Sequence, residues 1–248
     1  MTAMPFEPLD PATVLGAYSV GVFPMADSRD AGSVYWVEPR RRAILPLDGF
    51  HLSRSLRKTI AADRFRVTAD RAFDRIIALC AQAADDRPET WINRSIEQAF
   101  LRLHAAGHAH SIECWDGDQL VGGLYGLAIG RAFFGESMVS RAANASKVAI
   151  ASLVARLRHG GFTLLDCQFM TDHLASLGAV EVTRADYMAL LADALSGVVP
   201  VASGASVSFA SAGARAAGDF RALDALGDAA AAGTVPGKVT AQLLVHTS

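Results

Sequence analysis

The sequence predicts an α+β fold, a mainly antiparallel sheet flanked by helices, from three observations. Three stretches carry apolar residues at helical spacing: Phe73, Ile76, Ile77 and Cys80; Ile96, Ala99, Phe100 and Leu103; Ile150, Leu153, Val154 and Leu157. Between the second and third lies β-rich sequence punctuated by turn glycines, which reads as a meander. Finally, 51% of the 248 residues are apolar and 19% charged, enough buried surface to offset the ordering entropy of a real core.

Taken in order, Asp10-Pro11 predicts a capped helix that Gly21 ends. Phe23 to Leu47 is dense in Pro, Gly and aromatics and reads as irregular chain with short strands. Ser53–Ala62 is predicted helical, and Phe65–Thr68 alternates like a strand. Each of the three apolar stripes predicts an amphipathic helix, the last opened near Asn144 and closed at Gly160-Gly161. His110–Trp115, Gln119–Ile129 and Arg131–Met138 are predicted strands, turned at Asp116-Gly117 and Gly130. A strand over Phe162–Gln168, a short helix near Thr171–Leu177 and a helix over Ala185–Leu195 follow. From Ser196 to Gly233 the composition shifts to Ala, Gly and Ser and reads as a weakly ordered tail, ending in an apolar Lys238–His246 segment able to dock. The division expected is 1–49, 50–196 and a tail 197–248.

Several classes are excluded. No run approaches ~20 apolar residues, so no membrane span is expected, and Met1–Asp10 carries no signal-peptide pattern. Cys80, Cys114 and Cys167 are odd in number and far apart, which fits a reducing cytoplasm and no disulfide framework. His104, His108 and His110 straddle Gly107 and share no clean helical face, so they read as capping or solvent-facing residues, and no metal is expected. Neither a Walker loop nor a dinucleotide fingerprint occurs.

Charge is uneven. Glu38 to Arg66 holds eight basic residues (Arg40, Arg41, Arg42, Arg54, Arg57, Lys58, Arg64, Arg66) against three acids, hence +5, while the rest of the chain is −7. Such a segment is either a local phosphate contact or a solvated face.

Two acids stand in apolar strands. Glu136 follows Phe133-Phe134-Gly135, and a carboxylate there must be paired, hydrogen-bonded or functional. Asp166 and Gln168 fall on one strand face by alternation, either as an edge-strand polar pair or as a device in which Asp166 orients the Gln168 amide toward a substrate. Trp36 and Trp91, outside any helical stripe, are core plugs or walls for an apolar ligand. With Leu124, Phe133 and Leu165 near the polar pair, they suggest an apolar pocket with a polar mouth.

These same residues carry a resemblance. Tyr18-x-x-Gly21-x-Phe23-Pro24, Trp36-x-x-Pro39-x-Arg41, Ser53-Arg54-Ser55-Leu56, Thr90-Trp91-Ile92, the Gly107–Glu113 and Leu120–Gly126 stretches, Gly135-Glu136-Ser137-Met138, Asn144-Ala145-Ser146-Lys147, Asp166-Cys167-Gln168 and the His173–Ala179 stretch occur in this order. Together they resemble the bacterial leucyl/phenylalanyl-tRNA–protein transferase family, to about Leu195. Met25, Val37-Glu38 and Val139 depart from the residues usual there.

The resemblance implies a small N-terminal domain and a C-terminal GNAT-like domain. It implies transfer of Leu or Phe, less well Met, from Leu-tRNA or Phe-tRNA to the N-terminal Arg or Lys of a protein, marking it for N-degron degradation, with no cofactor and a monomeric cytoplasmic enzyme. Asp166 and Gln168 would be catalytic. Trp36, Trp91, Leu124, Phe133, Gly135, Glu136 and Leu165 would bind the donor, and Arg54, Arg57 and Lys58 the tRNA. The alternatives are a non-catalytic aminoacyl-tRNA binder and a GNAT-fold acyltransferase with another donor.

Overall fold

The computed structural model describes residues 8–82, 90–196, 198–203, 206–211, 217–226 and 234–245, with backbone alone for 198–203 and 206–211. Helix α1 (Pro11–Ser19) starts where the Asp10 carboxylate accepts the Thr13 N–H at 2.9 Å, with proline at its first position. Gly21 follows at φ +81°, where a Cβ would press on Tyr187 and Met188 at 3.1 Å. Strands β1 (Phe23–Met25) and β2 (Tyr35–Val37) form a two-stranded antiparallel ribbon. The chain then enters a seven-stranded sheet with β3 (Arg41–Ile44).

Ser53 caps α2 (Arg54–Ala61), which leads to β4 (Arg66–Ala69). Helices α3 (Phe73–Cys80) and α4 (Arg94–Ala105, capped by Asn93) bury the two predicted stripes. The meander β5 (Ala109–Asp116), β6 (Gln119–Ile129) and β7 (Ala132–Ser140) follows. Next come α5 (Ala145–His159), β8 (Leu164–Gln168), the one-turn α6 (Asp172–Ala175), β9 (Val180–Thr183) and α7 (Arg184–Leu195). The hairpin β10 (Val198–Ser203) and β11 (Ser206–Ser211) and helix α8 (Gly237–Val245) complete the described chain.

The large sheet runs β4-β5-β6-β7-β8-β3-β9. It is mixed, because β7 and β8 pair in parallel while the other neighbours pair antiparallel. The reason is the connection: α5 crosses over between β7 and β8, as a parallel pair requires. Two apolar layers cover the sheet. Tyr18, Ile76, Phe100, Tyr125 and Phe134 belong to one, Leu56, Leu124, Phe133, Leu153 and Leu165 to the other.

Three expectations need correction. Helix α5 is not amphipathic. Between Ala145 and Leu157 every residue but Lys147 is buried, because the sheet lies on one side and α2 and α8 on others. Strand β9 was not expected, since Val-Glu-Val-Thr is only four residues long and lies largely exposed at the sheet edge. The tail contains a hairpin, a single 3-10 turn (Ala222–Ala225) and α8, whereas residues 197, 204–205, 212–216 and 227–233 of the expected weak segment lie outside the described residues. Helix α8 packs on α2 and α5, with Ala241 and Leu244 buried and Arg158 donating to the Leu243 and Leu244 carbonyls at 3.2 Å.

Candidate functional site

Strands β7 and β8 pair through Ala132–Leu164, Phe133–Leu165 and Phe134–Asp166, and then part. At that point each carries a bulge. Gly126 faces Gly135 and Tyr125 faces Ser137, so Glu136 is the extra residue in β7. Ala43 faces Gln168 and Ile44 faces Asp166, so Cys167 is the extra residue in β8. A bulge bends its strand and re-aims side chains, and two side by side open a cleft of about 590 Å³ between the parting strands. A second surface cavity, about 660 Å³, lies at the far end of β8 among Leu47, Arg158 and Leu243. It is lined by no buried carboxylate, so chemistry rather than size selects the first.

Glu136 and Gln168 stand in the cleft wall, each under a tenth exposed. The Gln168 amide donates to Glu136 Oε1 at 3.0 Å. Glu136 Oε2 and the Tyr18 hydroxyl are both buried without a hydrogen-bond partner, and the two groups are near enough to influence each other's charge. Burial, opposed by the neighbouring donors, pushes the Glu136 carboxyl up to about 8. Burial likewise holds the Tyr18 phenol well above its usual value, so it is neutral.

Asp166 lies under the cleft, completely buried. Its carboxylate accepts Arg42 Nε at 2.9 Å and Nη2 at 2.6 Å, the Tyr187 hydroxyl at 2.9 Å and the Gln168 backbone N–H at 2.8 Å. Gln168 itself sits at φ +62°, in the left-handed region. The expected side-chain pair of Asp166 and Gln168 is therefore corrected. Asp166 fixes the Gln168 backbone, and Glu136 orients its amide. Strand alternation misleads here because the Cys167 bulge breaks it.

Of the other expected donor-binding residues, Trp91, Leu124, Gly135 and Leu165 line the cleft. Phe133 does not. It is fully buried, stacked on Phe220 at 5.7 Å. Trp36 sits opposite Pro24 in the small ribbon, 40% exposed, and is not part of the lining. His173 was not expected; it lines the cleft with a buried, unpartnered Nε2, and burial pulls its pKa down.

The basic window is dispersed. Arg42 is buried, Arg41 pairs with Glu181, and Arg64 pairs with Asp116. Arg54, Arg57 and Lys58 remain exposed along α2, and none forms an ion pair within the described residues. The histidine run is structural. His104 bonds the Ala109 carbonyl at 2.8 Å and stacks on Phe73. His110, buried rather than solvent-facing, bonds Asp70 at 2.8 Å. Among the described residues no His/Cys/Asp/Glu group is placed to hold a metal.

Sequence reasoning missed Arg42, Tyr18 and Tyr187. Arg42 is hidden in a run of three arginines, but both tyrosines extend apolar helical stripes (Val14, Leu15, Tyr18; Tyr187, Leu191, Ala194), a signal that a phenol is carried into the core.

Residues 44–192 match the family described as leucyl/phenylalanyl-tRNA protein transferase, and residues 7–40 match its N-terminal domain. A protein of Rhizorhabdus wittichii is 67% identical over 197 residues, covering 79% of this chain and 79% of that relative. One of Zymomonas mobilis is 62% identical over 188 residues, 76% of this chain and 70% of the relative. One of Novosphingobium aromaticivorans is 49% identical over 259 residues, 97% of each. All three carry the name leucyl/phenylalanyl-tRNA–protein transferase.

Proposed function

From the premise that the chain belongs to the leucyl/phenylalanyl-tRNA–protein transferase family, we propose that it moves Leu or Phe, and Met less well, from aminoacyl-tRNA to the N-terminal Arg or Lys of a protein. It is an aminoacyltransferase, and the product is marked for N-degron degradation. The observation that carries the reading is the cleft itself: an apolar wall with the Gln168 amide and a free oxygen of Glu136 at its polar end.

The chemistry asks little of a base. An aminoacyl ester is already activated, so the main task is to hold a neutral amine against it. An α-amino group has a reference pKa of ~7.7–8.0, which leaves a usable neutral fraction in the cytoplasm. With its N–H₂ end engaged by Glu136, Gln168 presents its carbonyl oxygen to accept from the attacking amine and to stabilise the positive charge growing on it, while the ester C–O bond breaks and the terminal ribose oxygen of the tRNA leaves as a hydroxyl, taking up the proton the amine loses. Glu136 is held neutral by burial until the donor's ammonium group reaches Oε2, which favours the ionised form. Trp91, Leu124, Gly135 and Leu165 form the wall for the donor side chain, so selection is by shape and burial. Trp36 and Phe133 are not proposed as parts of that wall.

No cofactor is needed for this reaction. A GNAT-like C-terminal domain and the division at residues 49 and 196 belong to the same proposal, supported by the α5 crossover and the parting of β7 from β8. The proposed species is a monomer of the cytoplasm, where aminoacyl-tRNA is found. Among the described residues no helix is long and apolar enough to cross a membrane. The test is transfer of labelled Leu from Leu-tRNA to a peptide with N-terminal Arg, compared with N-terminal Ala. Transfer to Arg alone is expected, and no transfer to either rejects the reading.

We assign the tRNA contact to Arg54, Arg57 and Lys58 on α2, since phosphates bind exposed cations irrespective of the amino acid carried. Replacing all three by Glu is expected to weaken Leu-tRNA and Phe-tRNA alike. The slope of log affinity against log salt should flatten by about 2–3, near the ~0.9 expected per lost phosphate contact. An unchanged slope would leave these residues as a solvated face.

A further inference from the structure

We infer that Arg42 is a positioning residue for transfer: by gripping Asp166 under the cleft, it holds Gln168 in the conformation that brings its amide to Glu136 and to the reacting amine. The inference rests on the proposed function and adds a group that touches neither substrate.

The geometry leaves Arg42 one arrangement. Arg42 is about 1% exposed, and its guanidinium lies between the rings of Phe23 and Tyr187, 4.7 and 4.6 Å from their centroids. Nη1 donates to the Gly21 carbonyl at 3.1 Å, while Nε and Nη2 both reach Asp166. Asp166, held from that side and by the Tyr187 hydroxyl, keeps Oδ1 on the Gln168 N–H at 2.8 Å. That bond anchors a backbone at φ +62°, which L side chains rarely adopt. From there the Gln168 amide meets Glu136 at 3.0 Å. A continuous relay of fixed hydrogen bonds thus runs from Arg42 on β3, through Asp166 on β8, to Glu136 on β7.

Stability alone does not require this arrangement, because buried ion pairs are commonly replaceable by apolar residues of similar volume. An arginine fork, unlike a lysine ammonium, fixes the orientation of the carboxylate as well as its charge. What the fork supplies here is the direction of one N–H acceptor and therefore the position of one amide.

The test is steady-state transfer to an N-terminal Arg peptide, with Leu-tRNA as the varied donor. Arg42→Met is expected to lower kcat about 10- to 100-fold, the scale of a small misplacement of a reacting group, with KM for Leu-tRNA within about twofold. Arg42→Lys should recover only part of kcat. The double variant Arg42→Met/Asp166→Asn should lose no more than the worse single variant, because both act on one element. A raised KM with kcat unchanged, or losses that multiply, overturns the inference. If Arg42→Met does not fold, Tyr187→Phe decides, since it removes one hydrogen bond to Asp166 and keeps the ring. A kcat at least about threefold lower at unchanged KM and melting temperature supports the inference, and an unchanged kcat overturns it. Absence of transfer by the unaltered protein rejects the proposed function and this inference with it. Full kcat in the Arg42 variants of an active enzyme rejects this inference alone.

Discussion

Replacing Asp166 by Ala is expected to destabilise the folded protein by about 3–5 kcal/mol, the range for breaking a buried ion pair from one side. The change strands three groups at once: the Arg42 fork, the Tyr187 hydroxyl and the Gln168 N–H. Burial works against the charge of Arg42, but hydrogen bonding and Coulomb attraction from Asp166 outweigh it and hold its pKa above the usual value. Without Asp166 only the desolvation remains. For a chain of this length the loss corresponds to a melting temperature lower by about 6–20 °C, at ~2–4 °C per kcal/mol. Arg42→Met/Asp166→Leu, which removes both charges, should recover most of it. Urea unfolding of the three proteins checks this. A loss below about 1 kcal/mol for Asp166→Ala would show that the pair does not hold β3 to β8.

Gln168→Ala is expected to act on rate. It removes the carbonyl proposed to face the amine, and a lost transition-state interaction of ~2–4 kcal/mol is ~30- to 1000-fold in kcat. It also leaves Glu136 Oε1 without its donor, so the Glu136 carboxyl should titrate above its present value of about 8. Because an alanine at φ +62° is itself strained, Gln168→Gly, which relieves the backbone and equally lacks the amide, is the control. Both variants should be slow, with donor KM nearly unchanged. A folded Gln168→Gly protein with full kcat would remove this amide from the mechanism.

How much of this was legible depended on whether the signal was local. The cap at Asp10, the stripes of α3 and α4 and the turns at Gly117 and Gly130 are set by nearby residues, and each is where the sequence places it. The parallel pairing of β7 with β8 is decided by a crossover built on a fifteen-residue helix, and periodicity carries no sign of direction. Glu136 and Asp166 were conspicuous as acids among apolar residues. Their partners were not, because Arg42 lies 124 residues from Asp166 inside a surface-like run of arginines. The bulges at Glu136 and Cys167 were illegible for the same reason: an extra residue shows only against the strand it faces.

The place of β3 between β8 and β9 has a consequence for how the molecule assembles. Its partners follow it by more than a hundred residues, so during synthesis Arg42 emerges long before there is a carboxylate to receive it. The meander β5-β6-β7 closes short loops and can form first, whereas inserting β3 closes a large one and gives the sheet a high contact order. The proposed site is then the part of the fold completed late, after the ribosome has released β9. A chain cut before residue 180 retains the meander but lacks the strand that closes the pairing of β3 on its outer side.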